Sequence, residues 1–312
     1  MNMTYNRPSK MSKAKAIFLL LRLPFLTVTL GAVFVGTAFA WWHTHRFNLG
    51  LFLLTLAGAS FLHIACNVAN DYFDFKSGND ASNRNALVPF SGGSRMVLDG
   101  FVKPGEALVV SLVFAALGSA IGLYLNAVSR GNVILLIGMA AVFFVFSYNG
   151  FPVRLVNRGL GEIAIFLAWG PLMVIGAYYV QANVLRSFWP LMAAVPSGIL
   201  TTLVLLINEF ADKEADALTG RKTWVILYGF KNSLIIYFLL ALCCYLAVLA
   251  GVIFGGWPIW SLIVLASLPL PLMAFKVAMK NLGNWPGFLP AVKTTILMNF
   301  VFLAILSVSF VF

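Results

Sequence analysis

The sequence predicts an all-α integral membrane protein. Nine transmembrane helices form one bundle around a central apolar chamber, with the N-terminus inside and the C-terminus outside. Three observations predict this. Of 312 residues, 61% are hydrophobic and only 10% are charged, against about 25% charged in a soluble domain. Nine apolar stretches are long enough to cross about 30 Å of hydrocarbon as helices. Laid across a membrane, these stretches put 18 of the 21 basic residues on one side, as the positive-inside rule requires.

The stretches lie near 22–42, 50–69, 107–126, 132–149, 160–180, 188–208, 232–254, 257–275 and 291–311. None shows the period-two alternation of outer-membrane strands, and runs this long favour helices. The first is full-length and lacks a small-residue cleavage site, so it reads as a span rather than a removable signal. The others follow with short connections, so residues 1–312 read as a single domain without a soluble appendage. The inside face collects Arg7, Lys10, Lys13, Lys15 and Arg22, then Lys76, Arg84, Arg95 and Lys103, then Arg154 and Arg158. It continues with Lys213, Arg221, Lys222 and Lys231, and ends with Lys276, Lys280 and Lys293. Arg46, Arg130 and Arg186 fall outside. The net charge of +11 is therefore topology and attraction to anionic headgroups, not a nucleic-acid surface. Cys66, Cys243 and Cys244 lie in apolar stretches without metal-ligand spacing and read as small buried hydrophobes. His63 falls one turn before Asn67 and reads as packing that can reach the same cavity.

Seven of the ten acidic residues gather in two short segments. The first follows the second apolar stretch and contains Asn67, Asn70, Asp71, Asp74 and Asp80. The other follows the sixth and contains Asn208, Glu209, Asp212, Glu214 and Asp216. Carboxylates beside hydrocarbon-seeking helices repel one another and lose solvation, so they mark a functional site, held together by something positive. Asn67, Asn70, Asp71 and Asp74 fall on one helical face, as do Asn208, Asp212 and Asp216. Glu209 and Glu214 fall off that stripe and are expected to support it or to be solvated. Oxygen-rich stripes without a Cys or His set suit Mg²⁺, which takes a few carboxylates plus water and phosphate oxygens.

Asn67-x-x-x-Asp71 has a counterpart in Asn208-x-x-x-Asp212, each followed by a glycine (Gly78, Gly220) and then bases. This suggests a diverged parallel repeat: helices 1–4 over about 22–149, helices 5–8 over about 160–275, and helix 9 added over about 291–311. The connection after the second helix, roughly 35 residues, carries Pro89-Phe90-Ser91-Gly92-Gly93-Ser94-Arg95, and loops of such length are commonly functional. Gly92-Gly93 can turn backbone N–H groups toward an anion, with Arg95 adding charge. Acids for a metal and bases for phosphate, side by side, are what a metal–diphosphate complex requires.

The strings N-D-Y-F-D-F-K-S-G-N-D (70–80) and D-K-E-A-D-x-x-x-G-R-K-T (212–223) resemble the two aspartate-rich motifs of the UbiA superfamily of intramembrane prenyltransferases. The resemblance covers most of the chain. The usual first motif is N-D-x-x-D-x-x-x-D; here Gly78 holds its last position, and the third aspartate comes two residues later, at Asp80. That variant, with S-G-G-S-R and with G-E-I-A-I-F-L-A-W-G-P-L-M-V-I-G-A-Y-Y-V (161–180), resembles the menaquinone branch, the 1,4-dihydroxy-2-naphthoate polyprenyltransferases. The resemblance implies Mg²⁺-dependent transfer of a polyprenyl group from polyprenyl diphosphate to that acceptor through an allylic carbocation. Loss of the ring carboxyl would give a demethylmenaquinone.

It further implies two Mg²⁺ ions held by Asn67, Asn70, Asp71, Asp74, Asp80, Asn208, Asp212 and Asp216. Asp71, Asp74, Asp212 and Asp216 would carry the catalytic role. Arg154 and Arg22 match basic positions of relatives. Lys76, Arg95 and Lys222 join them as substrate-binding candidates by charge and position. Tyr148 joins as an aromatic near the rim, with Tyr72, Trp169 and Phe210, able to face a cation. The expected partners are a polyprenyl diphosphate, an aromatic acceptor and the bilayer, with no nucleic acid and no obligate protein partner. The active site would face the cytoplasm from the cell (inner) membrane of a prokaryote. Another acceptor on the same fold (4-hydroxybenzoate, homogentisate or a glycerol phosphate) is the nearest alternative. An ion-coupled transporter fits less well, because its acids would sit near the bilayer midplane on broken helices.

Overall fold

A computed structural model describes residues 11–185 and 187–312. Of the bases used above for orientation, Arg7, Lys10 and Arg186 lie outside the described residues. The described chain is helical, and eight of its helical spans are long and apolar enough to cross a membrane. The ninth apolar stretch, 132–149, forms a shorter helix of 15 residues, Val133–Ser147. At 1.5 Å per residue this is about 22 Å, less than the hydrocarbon thickness.

The first span is broken where the sequence suggested one helix. α1 (Lys13–Leu20) ends before Arg22, whose φ of 51° is left-handed, and Pro24 sits in the following 3₁₀ turn, Leu23–Phe25. Proline cannot donate the next helical hydrogen bond, so the helix restarts as α2 (Leu26–Thr44). α3 (Leu49–Ser77) begins on Asn48, whose side chain accepts from the Leu51 N–H at 3.0 Å, and stops at Gly78, where φ is 77°. A short turn, α4 (Asn79–Ser82), carries Asp80. α5 (Pro104–Val128) starts with Pro at its first position, and the Glu106 carboxylate accepts from the Lys103 N–H at 2.7 Å. α6 (Val133–Ser147) follows.

The stretch expected at 160–180 is one span in three parts. α7 (Gly161–Leu167) passes through a wide π-type turn, Ala168–Leu172, into α8 (Met173–Ala182). Pro171 lies inside that turn and removes one donor, and such bulges mark functional positions. α9 (Trp189–Leu218) and α10 (Trp224–Ile253) are each 30 residues, the latter interrupted at Gly229. A 3₁₀ segment, Ile259–Ser267, leads into α11 (Pro269–Lys280), and α12 (Trp285–Ser309) closes the chain.

α9 is the inner helix. It packs against α2, α7, α8, α10 and α12, and 78% of its apolar window is buried, more than in any other span. Small residues allow the closest approach: a Cβ on Gly170 would lie 2.9 Å from the Gly198 Cα, so the π-type turn and α9 meet backbone to backbone. α12 packs on α2, bringing the last span against the first. Outward faces carry large apolar side chains such as Phe34, Leu53, Val109, Leu136 and Leu239, as a lipid solvent permits.

Candidate active site

The last turns of α3 and of α9 bring the two acidic segments together. Arg221, three residues beyond α9, bonds through Nη2 to Asp74 on α3, and its Nη1 lies 3.1 Å from Asp216 Oδ1 on α9. Asn79 donates to Asp216 at 2.8 Å, and Asn83 donates to Asp212 at 2.7 Å. The short α4 thus ties the first acidic segment to the second. Asn70 donates to Asp74 at 3.1 Å, one helical turn away, and itself accepts from Asn149. Asn149 also donates to Asp74 at 3.0 Å.

Asp71 is buried under the glycine loop. The Ser94 N–H donates to its carboxylate at 3.1 Å, the Ser94 hydroxyl bonds it as well, and Arg22 Nη1 stands 3.9 Å away. A Cβ on Gly93 would fall 2.9 Å from Asp71 Oδ1 and 3.4 Å from both Asp80 oxygens. Gly93 also has a φ of 69°, so both space and conformation call for glycine here. The Ser94 N–H is thus spent on a carboxylate of the protein, while Gly92 and Gly93 line the cavity beside it. Burial, with Asp74 and Asp71 close by, pushes the Asp80 carboxyl up to about 9. Burial alone would lower Arg221, but the Asp74 and Asp216 carboxylates more than offset it and hold the guanidinium charged.

Asp74, Asp212 and Asp216, but not Asp71 or Asp80, open into a cavity with a polar end. Arg22, Asn67, Asn70, Asp74, Tyr148, Asn208, Asp212 and Asp216 line it, as do Gly92 and Gly93. A second cavity, almost wholly apolar, runs between α3, α5, α6 and the α7–α8 span. The two share His63, Cys66, Tyr148, Ile165 and Trp169 as walls. His63 is fixed there: its Nδ1 is 2.8 Å from the Thr29 hydroxyl, which the Trp169 indole approaches at 3.3 Å. An expected apolar chamber and an expected charged rim are thus adjoining spaces with an aromatic neck.

Other residues singled out from sequence stand elsewhere. Lys76 is exposed, with its ammonium 5.8 Å from the Tyr72 ring. Lys222 has an exposed side chain, and its backbone N–H donates to Val156. The adjacent Arg221 is the base that enters the site. Arg154 lines a small separate pocket with Asp74, Asn149 and Arg221, behind the ion pair. Arg95 is half-buried, and its positive charge acts on Asp80. Tyr72 packs with the α1–α5 cluster, and Phe210 is fully buried against Phe230 and Phe288, so neither reaches the cavity.

Glu209 and Glu214, both expected to support the stripe or to be solvated, part company. Glu209 is buried and lines the polar cavity. Glu214, paired with it in that expectation, is exposed and accepts from Asn85 at 3.2 Å. Arg221, Asn79, Asn83, Ser94 and Asn149 escaped the sequence reading. Their signal was there in part: all but Asn149 are hydrogen-bond donors within or near an acidic segment or the loop glycine pair.

The chain and its fold match known proteins. The UbiA prenyltransferase family matches residues 29–306. The chain belongs to the UbiA prenyltransferase family. The 1,4-dihydroxy-2-naphthoate octaprenyltransferase of Bacillus subtilis is 28% identical over 96% of this chain and 94% of its own. That of Escherichia coli is 28% identical over 94% and 95%. The 2-carboxy-1,4-naphthoquinone phytyltransferase of Synechocystis is 30% identical over 79% and 76%. Among solved structures, a UbiA homolog from Archaeoglobus fulgidus bound to GPP and Mg²⁺ superposes with a TM-score of 0.65. It is 16% identical and covers 95% of this chain and 99% of its own. This UbiA-family chain is a membrane-embedded prenyltransferase.

A family that uses Mg²⁺ raises the question of whether these residues suit it. Among the described residues, no three His, Cys, Asp or Glu side chains form a ready metal cluster; Arg221, Asn79, Asn83 and Ser94 engage the carboxylates instead. The donor set nevertheless fits. It is entirely hard oxygen, and Asp80 Oδ1 and Asn208 Oδ1 are buried acceptors without a partner, which a bound cation would satisfy.

Proposed function

We propose that this UbiA prenyltransferase joins a polyprenyl group, from polyprenyl diphosphate, to 1,4-dihydroxy-2-naphthoate with loss of the ring carboxyl as CO₂, yielding the reduced, hydroquinone form of a demethylmenaquinone. The observation that carries this reading is the pair of adjoining cavities. One is ringed by both acidic segments and two arginines; the other is apolar and long-walled; Tyr148 and Trp169 stand at their junction. The names of relatives matched end to end supply the choice of acceptor.

In this reading the isoprenoid tail occupies the apolar cavity and the diphosphate the polar one. Mg²⁺, two ions in our proposal, would be held by Asn67, Asn70, Asp71, Asp74, Asp80, Asn208, Asp212 and Asp216. It would neutralise charge on the departing diphosphate. Arg22 and Arg221 stand at the same wall and stabilise that charge as the allylic C–O bond breaks and its electron pair leaves with phosphate. Arg95 adds positive charge from the loop side, and Arg154 reinforces Arg221 from behind. The apolar walls exclude water from the cation, and the ring faces of Tyr148 and Trp169 lower its energy. The ring carbon of the acceptor then forms the new C–C bond with the allylic cation, and loss of the ionised ring carboxyl as CO₂ returns its bonding pair to the ring and restores aromaticity.

The topology we propose has nine spans in one domain, the 15-residue α6 included, with the N-terminus in the cytoplasm and the C-terminus outside. Residues 22–149 and 160–275 form the two repeats and the last helix is added. The basic distribution supports that orientation and a cytoplasmic rim for the site. The test is direct. Purified protein with Mg²⁺ and geranylgeranyl diphosphate is given labelled 1,4-dihydroxy-2-naphthoate, 4-hydroxybenzoate, homogentisate and glycerol phosphate in parallel. Prenylated, decarboxylated naphthoate supports the reading; product with another acceptor alone overturns it.

A further inference from the structure

Glu209 lies where nothing in the metal-and-diphosphate reading uses it. It is 4% exposed, it lines the polar cavity, and neither carboxyl oxygen has a hydrogen-bond partner. A buried carboxyl left in this state costs several kcal/mol unless a donor or cation arrives. Its immediate polar neighbour is another carboxyl, Glu162, at the start of α7. Glu162 Oε1 accepts from the Trp224 N–H, and its Oε2 has no partner. No ion pair reaches either residue among the described ones; Arg22 and Arg221 are committed to Asp71, Asp74 and Asp216.

Position separates Glu209 from the stripe. It precedes Asp212 by three residues on α9, which puts it about 4.5 Å further along the helix from the rim. It is also rotated off the face shared by Asn208, Asp212 and Asp216. Tyr148, which lines both cavities, is its neighbour there, so Glu209 stands on the rim side of the neck, where the reactive end of a chain leaving the apolar cavity would arrive.

We propose that Glu209, backed by Glu162, is the acceptor-recognition residue: its open carboxyl oxygen receives the hydrogen bond of a ring hydroxyl. A hydroxylated aromatic brings what the place lacks, an O–H donor on a flat apolar body that fits an aromatic neck. The inference rests on the aromatic-acceptor reading above and adds the group that selects and orients that acceptor. A site built to accept from a hydroxyl rejects an analogue without it, because its own buried acceptor is then left bare.

The experiment compares wild type, Glu209→Leu and Glu209→Gln in steady-state kinetics with 1,4-dihydroxy-2-naphthoate, geranylgeranyl diphosphate and Mg²⁺. The expected result is a rise of about tenfold or more in the acceptor KM for Glu209→Leu, the loss of one hydrogen bond to a charged group. Glu209→Gln, whose amide oxygen still accepts, recovers part of it. The KM for the diphosphate and the half-saturating Mg²⁺ concentration stay as in wild type. As a competitive inhibitor, 1,4-dimethoxy-2-naphthoate, which has no O–H, should bind Glu209→Leu at least as tightly as wild type, because the variant has no buried acceptor to leave bare. An unchanged acceptor KM in both variants, or a rise in diphosphate KM or Mg²⁺ requirement instead, overturns the proposal. Should Glu209→Leu not fold, Glu209→Gln and the dimethoxy inhibitor decide by the same criteria. A wild type inactive with every hydroxylated aromatic sinks the functional reading and this inference together; an active wild type with unaffected variants sinks this inference alone.

Discussion

Arg221 and Asp74 are 147 positions apart in the chain, yet their side chains bond directly, and the same guanidinium lies 3.1 Å from Asp216. One cation therefore holds both acidic segments. Replacing Arg221 with Ala leaves buried carboxylates without their counter-charge, a loss of about 3–5 kcal/mol for a broken buried pair. The variant should melt well below wild type in detergent without Mg²⁺. Added Mg²⁺ should narrow the gap, because a second cation takes over part of the task. Lys222→Ala, one residue on, should melt like wild type, since its side chain is exposed.

Asp71→Ala and Asp212→Ala should each abolish turnover while the protein still inserts and purifies. Asp212 is held by a neutral donor, Asn83, so its removal frees only an amide; removal of Asp71 frees the Ser94 hydroxyl and leaves Arg22, 3.9 Å away, facing the cavity without that carboxylate. Product formation near the wild-type rate in either variant would remove that aspartate from the site. Binding of geranylgeranyl diphosphate, measured with and without Mg²⁺, separates lost chemistry from lost binding: the Mg²⁺-dependent part should vanish.

The bundle and the meeting of the acids were readable in the sequence because they rest on strong, local signals. Apolar run length reports helices, and one-face spacing of Asn67, Asn70, Asp71 and Asp74 reports a stripe. What escaped depends on contacts between distant segments. Arg221 and Lys222 are both basic and adjacent, and only the turn after α9 decides which points inward. Glu209 falls off the stripe on a helical wheel. It is buried nonetheless, because α9 is surrounded on several sides and α7 brings Glu162 to its other face. The break at Arg22 was hidden inside an apolar run. Pro24 was its one local sign, and the break is what turns Arg22 toward Asp71.

The apolar cavity offers a change of substrate preference without a change of chemistry. Gly138 on α6 lines it, and a Cβ there would meet nothing within 4 Å. Gly138→Leu thus fills open space rather than straining the helix, and in helix propensity leucine exceeds glycine. The variant should keep its kcat/KM with dimethylallyl or geranyl diphosphate and lose about tenfold or more with long polyprenyl donors, whose tails need the occupied volume. Equal losses across all donor lengths would show that the tail lies elsewhere.

Asp80 links the cation to pH. Held up to about 9 by burial and by Asp74 and Asp71, it is protonated near pH 7.5 in the metal-free protein. A carboxylate can ligate Mg²⁺ only after losing that proton, so binding should release protons and tighten as pH rises toward 9. The sign follows from the raised value: below it the proton competes with the metal, and above it the competition ends. Calorimetric titration of Mg²⁺ at pH 7.5 in two buffers of different ionisation enthalpy would count the protons released. In Asp80→Asn the count should fall and the pH dependence flatten. A binding enthalpy indifferent to buffer would take Asp80 out of the metal's surroundings.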